Sequence, residues 1–597
     1  MESVLTTPPR VPVEASAPWA SAHAPPARRA LRLPWGLLTA ALLVGAWWII
    51  APHTPDLAGQ VYRARLFEQA GFVLWNNGWY AGHQLPGYSL TWPWLASWLG
   101  VRASGVLAVL ASAYLFERLA RRIYGERTAA AAVWFAVAAA GDAWIGRLTF
   151  ALGVTFALAA ALCAARAVSA EGRSSLARDP LAGLLGGICA ATSPVAGLLL
   201  VLAYVSWAIG AVVSEGSSPA GRGVGGFLRA LAARLRPLRA AVLVPLVVVI
   251  ALHALFPEGG FEPYAASSIA AALAVTLAFI LALPREDTLL RVSAGVYALV
   301  NLLALAPTPM GSNIQRYGVL LAGPLLLCAL AARGGLSSSR LPRWALLTVL
   351  AGMGLWVVWG PIVQTLGVIN DPSTQASYYK PLERFLAQHA GAPLRIEVPF
   401  TRSHWEAAFL PPRFPLARGW ERQLDKRYDL ELESHALSAA AYRAWLGRLG
   451  VSYVALPDVP FDQSSDGEVR LVRQGVPYLR EVFRSAHWRV FRVLDASPLV
   501  VPLAPGGARR AQAGASGARL TSLGVQGFAL SVATPGRYLV RVRYSPYWTV
   551  SAGAASVREA TGGFTEVLAV RAGAVAVDAQ FSLAGAWRAL GVALEGA

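Results

Sequence analysis

The chain contains a series of apolar runs, most of them long enough to cross a bilayer, and these runs limit its fold more than any other feature. A membrane-spanning helix needs about 20 predominantly apolar residues, and we count about eleven such runs. They lie at 33–51, 95–118, 128–144, 148–168, 181–193, 195–213, 240–256, 266–284, 287–306, 318–333 and 343–366. The sequence therefore predicts a polytopic α-helical membrane protein.

The composition agrees with this prediction and argues against nucleic-acid binding. Of the 597 residues, 55% are hydrophobic and only 14% are charged, a balance that water-soluble proteins rarely have. The net charge of +19 comes from arginines that lie mainly between and beyond the apolar runs instead of in one basic domain. Such arginines are typical of cytoplasmic loops, so we expect membrane lipids, and no nucleic acid, as partners.

The cysteines give no sign of redox or metal chemistry. All of them lie inside apolar runs, where a free cysteine behaves as a small hydrophobic residue. We therefore expect neither a disulfide, nor a cysteine metal site, nor a thiol nucleophile. The residues are Cys163, Cys189 and Cys328.

The positions of the arginines predict which loops face the cytoplasm. Arginine-rich loops collect on the cytoplasmic side, and they alternate here with arginine-poor loops if the run at 181–213 crosses the membrane twice. The Pro/Ala-rich tail at 1–32 is then cytoplasmic, and the first run is an uncleaved span. The transmembrane domain is predicted to cover 33–370, and the chain beyond it is predicted to be extracytoplasmic.

Two soluble domains are predicted after the last apolar run. From 371 to 498, strand-like segments such as LRIEVPF and VSYVALP alternate with helix-like segments, which indicates an α/β domain. Within it, 466–484 is predicted to be an amphipathic helix. From 499 to 597, apolar and polar residues alternate between Gly-rich turns, which favours a β-sandwich.

The long loop after the first run, 52–90, carries many of the candidate residues. Asp56 is either a solvated acid or a functional one, and a short helix is expected between Gln60 and Phe72. The aromatic segment that follows can anchor the loop at the lipid headgroups, where Trp and Tyr are favoured, or it can bind a substrate. The candidates for substrate binding are His53, Trp79, Tyr80 and His83.

Two further predicted outer segments carry ionisable residues at helix ends. Asp142 and Arg147 lie at the turn between the third and fourth runs, and Arg316 lies where the tenth run begins. Charged groups at membrane depth are costly and tend to be paired or functional. Arg147 can pair with Asp142 as a structural salt bridge. Arg316 has no acid near it in sequence, so an acid from another loop or an anionic ligand must neutralise it, and a guanidinium fork suits phosphate.

Together these residues offer the groups that a transfer reaction needs. Asp56 and Asp142 supply carboxylates for general-base work on an acceptor hydroxyl, while Arg147 and Arg316 supply cations for the phosphate of a leaving group. A divalent metal suits Asp and His ligands, yet the sequence has no DxD or HxxxH spacing. The metal requirement therefore stays open.

The chain resembles the GT-C class of membrane glycosyltransferases, which use polyprenyl-phosphate-linked sugars. The resemblance lies in the order of its parts: one span, a long outer loop with an early acid and later aromatics, a short acidic outer loop, many spans and an outer C-terminal region. More narrowly, the chain is similar to large bacterial membrane proteins of this architecture. The segments that carry this similarity are WNNGWYAGHQLPGYSLTWP, GRLTFALG, ATSPVAG, HWEAAFLPPRFPLARGWERQLD, YRAWLGRLGVSYVALPD and RYSPYWTVSAG.

The resemblance implies a function. It implies transfer of a sugar from a polyprenyl-phosphate donor to a cell-envelope glycan, lipid or protein acceptor on the outer face. Asp56 would be the base, Asp142 its support, and Arg316 with Arg147 would hold the donor phosphate. Because PDLA stands where better-known members often carry paired acids, an inactive envelope scaffold is one alternative. A transporter or flippase is another; it predicts polar mid-membrane residues or inverted repeats, and we find neither in the sequence.

Overall fold

The computed structural model describes residues 34–168, 173–216, 219–389, 393–503 and 517–595. The predicted cytoplasmic tail at 1–32 lies outside the described residues. The α-helices in the described ranges are α1 Trp35–Ile50, α2 Pro55–Ala70, α3 Trp92–Leu99, α4 Val101–Tyr124, α5 Ala129–Trp144, α6 Leu148–Val168, α7 Arg173–Thr192, α8 Pro194–Ser214, α9 Pro219–Leu235, α10 Arg239–Leu255, α11 Ala266–Ala282, α12 Thr288–Leu303, α13 Gln315–Ala332, α14 Arg343–Val368, α15 Ala376–His389, α16 Glu406–Phe409, α17 Arg422–Tyr428, α18 Ala439–Leu449, α19 Asp466–Gln474 and α20 Leu583–Glu595. The strands are β1 Trp75–Asn76, β2 His83–Gln84, β3 Arg395–Glu397, β4 Val451–Pro457, β5 Leu479–Arg484, β6 Trp488–Val493, β7 Val500–Pro502, β8 Ala518–Leu523, β9 Gly527–Val532, β10 Gly536–Arg543, β11 Trp548–Ala552, β12 Ala555–Ala560, β13 Phe564–Ala569 and β14 Gly573–Ala579.

The apolar runs form helices, in which backbone polar groups bond to one another as lipid requires. Among the described residues, six helices are long and apolar enough to cross a membrane. In the same ranges α1 and α2 form a broken pair bent by 79°, and further apolar helices have 10–17 residues. The six run over Val101–Tyr124, Leu148–Arg166, Pro194–Ser214, Gly223–Leu255, Gly311–Ala332 and Arg343–Val368. The predicted class, a polytopic helical membrane protein, is confirmed, whereas eleven spans stays a prediction.

The long loop after α1 begins with a sharp change of direction. Ala51 has a left-handed backbone with φ 53°, and Pro55 opens α2, because proline suits the first position of a helix. The helix that we expected between Gln60 and Phe72 therefore starts earlier than predicted. Its first turn contains Asp56.

The α/β region contains one mixed sheet. Its strand order is β3-β4-β6-β5, with β3 and β4 parallel and the other neighbours antiparallel. The prediction of a helix over 466–484 is wrong in its second half, which forms β5. The reason is that Gly475 has a left-handed φ of +80° and Pro477 follows it, so the helix ends at Gln474.

The last region is a pair of antiparallel four-stranded sheets followed by a helix. The sheet orders are β12-β13-β10-β7 and β11-β14-β9-β8. Inward-facing residues such as Leu530, Val540 and Val577 are fully buried and form one apolar cluster. The C-terminal part is therefore strand-rich, as predicted, while the domain limits at 370, 498 and 499 stay predictions.

Gly146 allows the turn between α5 and α6 to press against the first turn of α2. Its φ is +88°, and a Cβ atom built on it would lie 2.3 Å from the backbone nitrogen of Leu57. No side chain fits that space, so this glycine sets the distance between the α5–α6 turn and the start of α2. Asp56 precedes Leu57 and Arg147 follows Gly146, so this close approach also brings Asp56 and Arg147 together.

Gly146→Ala tests this close approach. We expect it to lower the midpoint of thermal unfolding by about 3 °C or more, because the methyl group must displace the backbone of α2 as well as strain its own backbone. Gly100→Ala is the matched control, since Gly100 has a similar φ of +86° and a methyl group there would have no atom within 4 Å. Fluorescence-detected thermal unfolding measures both, and equal shifts would contradict the close approach.

Candidate active site between the membrane helices and the C-terminal domain

A cavity of about 1040 Å³ lies where the membrane helices meet the α/β region. Its walls come from α2, the α5–α6 turn, α8, α10, α13 and α14, together with the loops at 256–263 and 308–313. Residues 420–424 of the C-terminal region cover it, and we call them the roof segment. The cavity therefore has a helical apolar side and a polar side.

Asp56, Asp142, Arg147 and Arg316 all line this cavity, although they come from three separate parts of the chain. The carboxylate of Asp56 is 3.1 Å from Nε of Arg147, and each side chain is about one third exposed. The suggested salt bridge between Arg147 and Asp142 is therefore replaced by a pair with Asp56. Asp142 still contacts Arg147 through the backbone, where its carbonyl accepts a hydrogen bond of 2.8 Å.

Arg316 is a half-buried cation on the cavity wall, in the first turn of α13. Its guanidinium carbon lies 4.9 Å from the ring centre of Phe150. Within the described ranges it has no ion pair shorter than 4.0 Å and no side-chain hydrogen bond. A guanidinium in this position gains from an anionic partner that binds in the cavity, because charge is costly to bury unpaired.

The cavity holds two acids that sequence reasoning did not single out, Glu258 and Glu262, both in the loop between α10 and α11. The hydroxyl of Ser312 donates a 2.9 Å hydrogen bond to Glu262. Burial raises the pKa of Glu262, and it raises the pKa of Glu258 to about 8. Their position in the predicted outer loop FPEGGFEPY was the only signal that could have found them.

The roof segment is tied directly to the backbone before Asp56. The indole N–H of Trp420 donates to the carbonyl of Pro55 at 2.9 Å, and the indole N–H of Trp405 donates to the carbonyl of His53 at 2.9 Å. Next to Trp420, the guanidinium of Arg422 faces the cavity and lies 3.3 Å from Asp462. The C-terminal region therefore helps to fix the position of the candidate base.

The predicted substrate-binding aromatics Trp79 and Tyr80 do not line the cavity. Both are fully buried; Trp79 donates to the carbonyl of Ala407 at 3.0 Å, and the Tyr80 hydroxyl bonds to Asp425 at 2.9 Å. They join the long loop to the α/β region. His53 is also off the cavity wall and packs edge-on against Trp405, with ring centres 4.8 Å apart.

His83 is buried beside two carboxylates, and this group has the spacing of metal ligands. Its Nδ1 is 3.5 Å from Glu258 and 3.7 Å from Glu421, and Nδ1 has no hydrogen-bond partner within the described part of the chain. Burial lowers the pKa of His83 to about 4, so the imidazole is neutral near pH 7. Whether a metal fits here therefore depends on which nitrogen carries the proton.

The hydrogen bonds of Asn76 determine this tautomer. The Asn76 oxygen accepts from the Tyr62 hydroxyl at 2.7 Å and from the Gly78 N–H at 2.9 Å, so its amide nitrogen faces Nε2 of His83 at 2.9 Å. Nε2 must accept this bond, which leaves the proton on Nδ1, the atom that a metal would need. Arg63 already pairs with Glu421 at 3.1 Å. As it stands, the group therefore does not fit a metal.

No protein-family model matches the chain, and no curated protein matches it in sequence. It is similar to the cryo-EM structure of the arabinofuranosyltransferase AftD from mycobacteria, with a TM-score of 0.44, 15% identity, and coverage of 92% of this chain and 57% of AftD. The apo oligosaccharyltransferase of Archaeoglobus fulgidus gives 0.42 and 11%, with coverage of 92% and 94%. Apo ArnT from Cupriavidus metallidurans gives 0.37 and 14%, with coverage of 78% and 98%.

The chain spans only 57% of the length of AftD. The likeness is distant at these TM-scores and identities, so the assignment of a function rests on the residues of the cavity.

The raised pKa of Glu258 predicts a pH-dependent loss of stability. The ordinary pKa is 4.5 and the folded value is about 8, so the folded chain keeps the proton after the unfolded chain has released it. The contribution of Glu258 to the free energy of unfolding therefore falls as pH rises from about 4.5 to 8. We expect the melting temperature of Glu258→Gln to change less between pH 5 and 8 than that of the wild type. The exposed Glu559→Gln is the control, and a parallel pH profile for Glu258→Gln would contradict the prediction.

Proposed function

We propose that this protein is an integral membrane glycosyltransferase that transfers a sugar from a polyprenyl-phosphate donor to a hydroxyl group of a cell-envelope glycan, lipid or protein. One observation carries the proposal: a single cavity combines a carboxylate, two cations and an apolar wall made by membrane helices. Asp56, Arg147 and Arg316 supply the charged groups. We place this cavity on the outer side, in line with the arginine-rich loops on the opposite side.

The cavity fits both ends of a lipid-phosphate donor. Its membrane side is lined by Val249 and Leu252 of α10 and by Trp356 and Val357 of α14, all of which suit a prenyl chain. Arg316 reaches the same space from α13, and a guanidinium fork binds phosphate oxygens in pairs. A water-soluble sugar donor would gain nothing from the apolar wall, so the lipid-linked class is favoured.

The charged groups can divide the chemistry among them. Asp56 takes the proton of the acceptor hydroxyl while that oxygen forms a bond to the anomeric carbon of the sugar. The bond between this carbon and the phosphate oxygen breaks, and the electron pair leaves with the lipid phosphate. Arg316 and Arg147 stabilise the added negative charge. Because Arg147 pairs with Asp56 in the structure, a bound phosphate would draw Arg147 away and free the carboxylate.

The acceptor is proposed to enter from the C-terminal side. The roof segment presents Trp420 and Arg422 to the cavity, and Glu262 of the 256–263 loop also lines it, next to Ser312. An aromatic ring beside charged hydrogen-bonding groups is suited to bind a sugar and its hydroxyl groups. Asp142 is buried at the end of α5. We propose that it supports Asp56 electrostatically, because both carboxylates interact with the charge of Arg147.

Asp56→Asn tests the proposed base. Membranes that contain the variant should transfer label from radiolabelled polyprenyl-phosphate sugars at least about 100-fold more slowly than the wild type, because the amide cannot accept the proton. Asp458→Asn is the matched control: Asp458 also has a close side-chain partner, Nδ1 of His487 at 2.9 Å, but lies off the cavity. Equal transfer by the wild type and Asp56→Asn would show that Asp56 is not the base. If the wild type, Asp56→Asn and Asp458→Asn all fail to transfer sugar from every donor, an inactive scaffold would be favoured.

Arg316→Lys tests the proposed phosphate site. Lysine keeps the charge but loses the paired hydrogen bonds, so we expect KM for the donor to rise about 10-fold. The acceptor KM should change little, because the variant does not alter the roof segment. Arg413→Lys, at an exposed arginine off the cavity, is the control. An unchanged donor KM would place the phosphate elsewhere.

A further inference from the structure

The last helix, α20, leaves the β-sandwich and packs against the membrane helix α10. Its contact face carries small buried residues: Ala589 is fully buried in the same apolar cluster as Leu252 of α10. A Cβ atom on Gly585 would lie 2.7 Å from the ring of Tyr547. Tyr547 in turn donates a 2.7 Å hydrogen bond to the carbonyl of Leu255, at the end of α10.

The opposite face of α20 is apolar and uncovered. Leu583 is 78% exposed and Trp587 is 75% exposed. Phe581, just before the helix, is 55% exposed, and its ring stacks on Tyr547 with ring centres 5.7 Å apart. The one cation on this helix, Arg588, donates a 2.7 Å hydrogen bond to the carbonyl of Pro546. A helix that met only water on this face would carry polar residues there.

The neighbour of α20 indicates what covers this face. α10 belongs to a candidate membrane span. Only 22% of the most apolar part of this span is buried inside the chain. Val247 and Ile250 of α10 are exposed, as expected of side chains that meet lipid. The cluster with Ala589 involves the last two turns of α10, from Val248 to Leu255, which extend over roughly 10 Å. Helices that lie in a membrane interface bury their apolar face to a depth of about 5–10 Å. The length of α10 that contacts α20 is similar to this depth.

We propose that α20 is a membrane-interface anchor, whose residues Phe581, Leu583 and Trp587 insert among the lipids of the leaflet next to the C-terminal domains. Trp587 suits this level because tryptophan is favoured at the headgroup boundary. The anchor holds the β-sandwich to the membrane beside the long loop, whose Asn77 donates hydrogen bonds to the carbonyls of Gly524 and Gly527 in the sandwich. This inference does not depend on the proposed glycosyltransferase activity.

A lipid-quenching experiment tests the anchor in the full chain. Single cysteines replace Trp587 or Leu583 in a background where Cys163, Cys189 and Cys328 are alanine, and each carries the environment-sensitive fluorophore NBD. The labelled proteins are reconstituted in phosphatidylcholine nanodiscs with or without doxyl-labelled acyl chains. Val570→Cys is the matched control, because Val570 is 63% exposed in the same sandwich but follows the far end of β13. The near end, at Phe564, pairs with Arg543, which bonds to the carbonyl of Tyr80 in the long loop.

We expect doxyl lipid to quench NBD at positions 587 and 583 at least 2-fold and to leave the label at 570 unchanged. Equal quenching at all three positions, or none at 587 and 583, would overturn the anchor. A blue-shifted but unquenched label with energy transfer between labelled chains would assign the face to a second copy and would also overturn it. A monodisperse elution profile confirms folding for each variant.

Discussion

The turn from His53 to Asp56 connects the membrane helices with the C-terminal region, and two indole groups hold it. Trp405 and Trp420 donate hydrogen bonds to the carbonyls of His53 and Pro55, directly before the acid. From the membrane side, the α5–α6 turn approaches the same place at Gly146. Asp56 is therefore fixed from two directions by parts of the chain that are far apart in sequence. The shape of the cavity depends on this double support.

The charge pattern of the cavity follows from that arrangement. Once the turn is fixed, the carboxylate of Asp56 meets Arg147 at 3.1 Å, while Arg316 stays half-buried without a close carboxylate in the described chain. A cavity with a paired acid and an unpaired cation, next to apolar helices, is suited to an anion that carries a long hydrocarbon chain. Arg63, Glu258 and Glu421 also line this space, and Nδ1 of His83 lies within 4 Å of both carboxylates.

The sequence predicted the helical class because apolar runs form helices in lipid almost independently of context. It also brought Asp56, Asp142, Arg147 and Arg316 into one proposal, since each lies at a helix end on the same predicted side. The roles of Trp79 and Tyr80 could not be predicted, because their partners Ala407 and Asp425 lie more than 300 residues away. The partner of Arg147, the tautomer of His83 and the roof segment depend on tertiary contacts in the same way. In 466–484, local hydrophobicity suggested a helix, whereas Gly475 ended it.

The most direct test of the central claim is the structure of the purified chain in lipid nanodiscs with a polyprenyl monophosphate bound, determined by cryo-electron microscopy. If the cavity is a lipid-phosphate site, the phosphate will lie within hydrogen-bond distance of the guanidinium groups of Arg316 and Arg147. The prenyl chain will run along α10 and α14 toward the membrane, and the Asp56 carboxylate will no longer be paired with Arg147. A phosphate bound outside the cavity, or a cavity with no opening to lipid, would contradict the account.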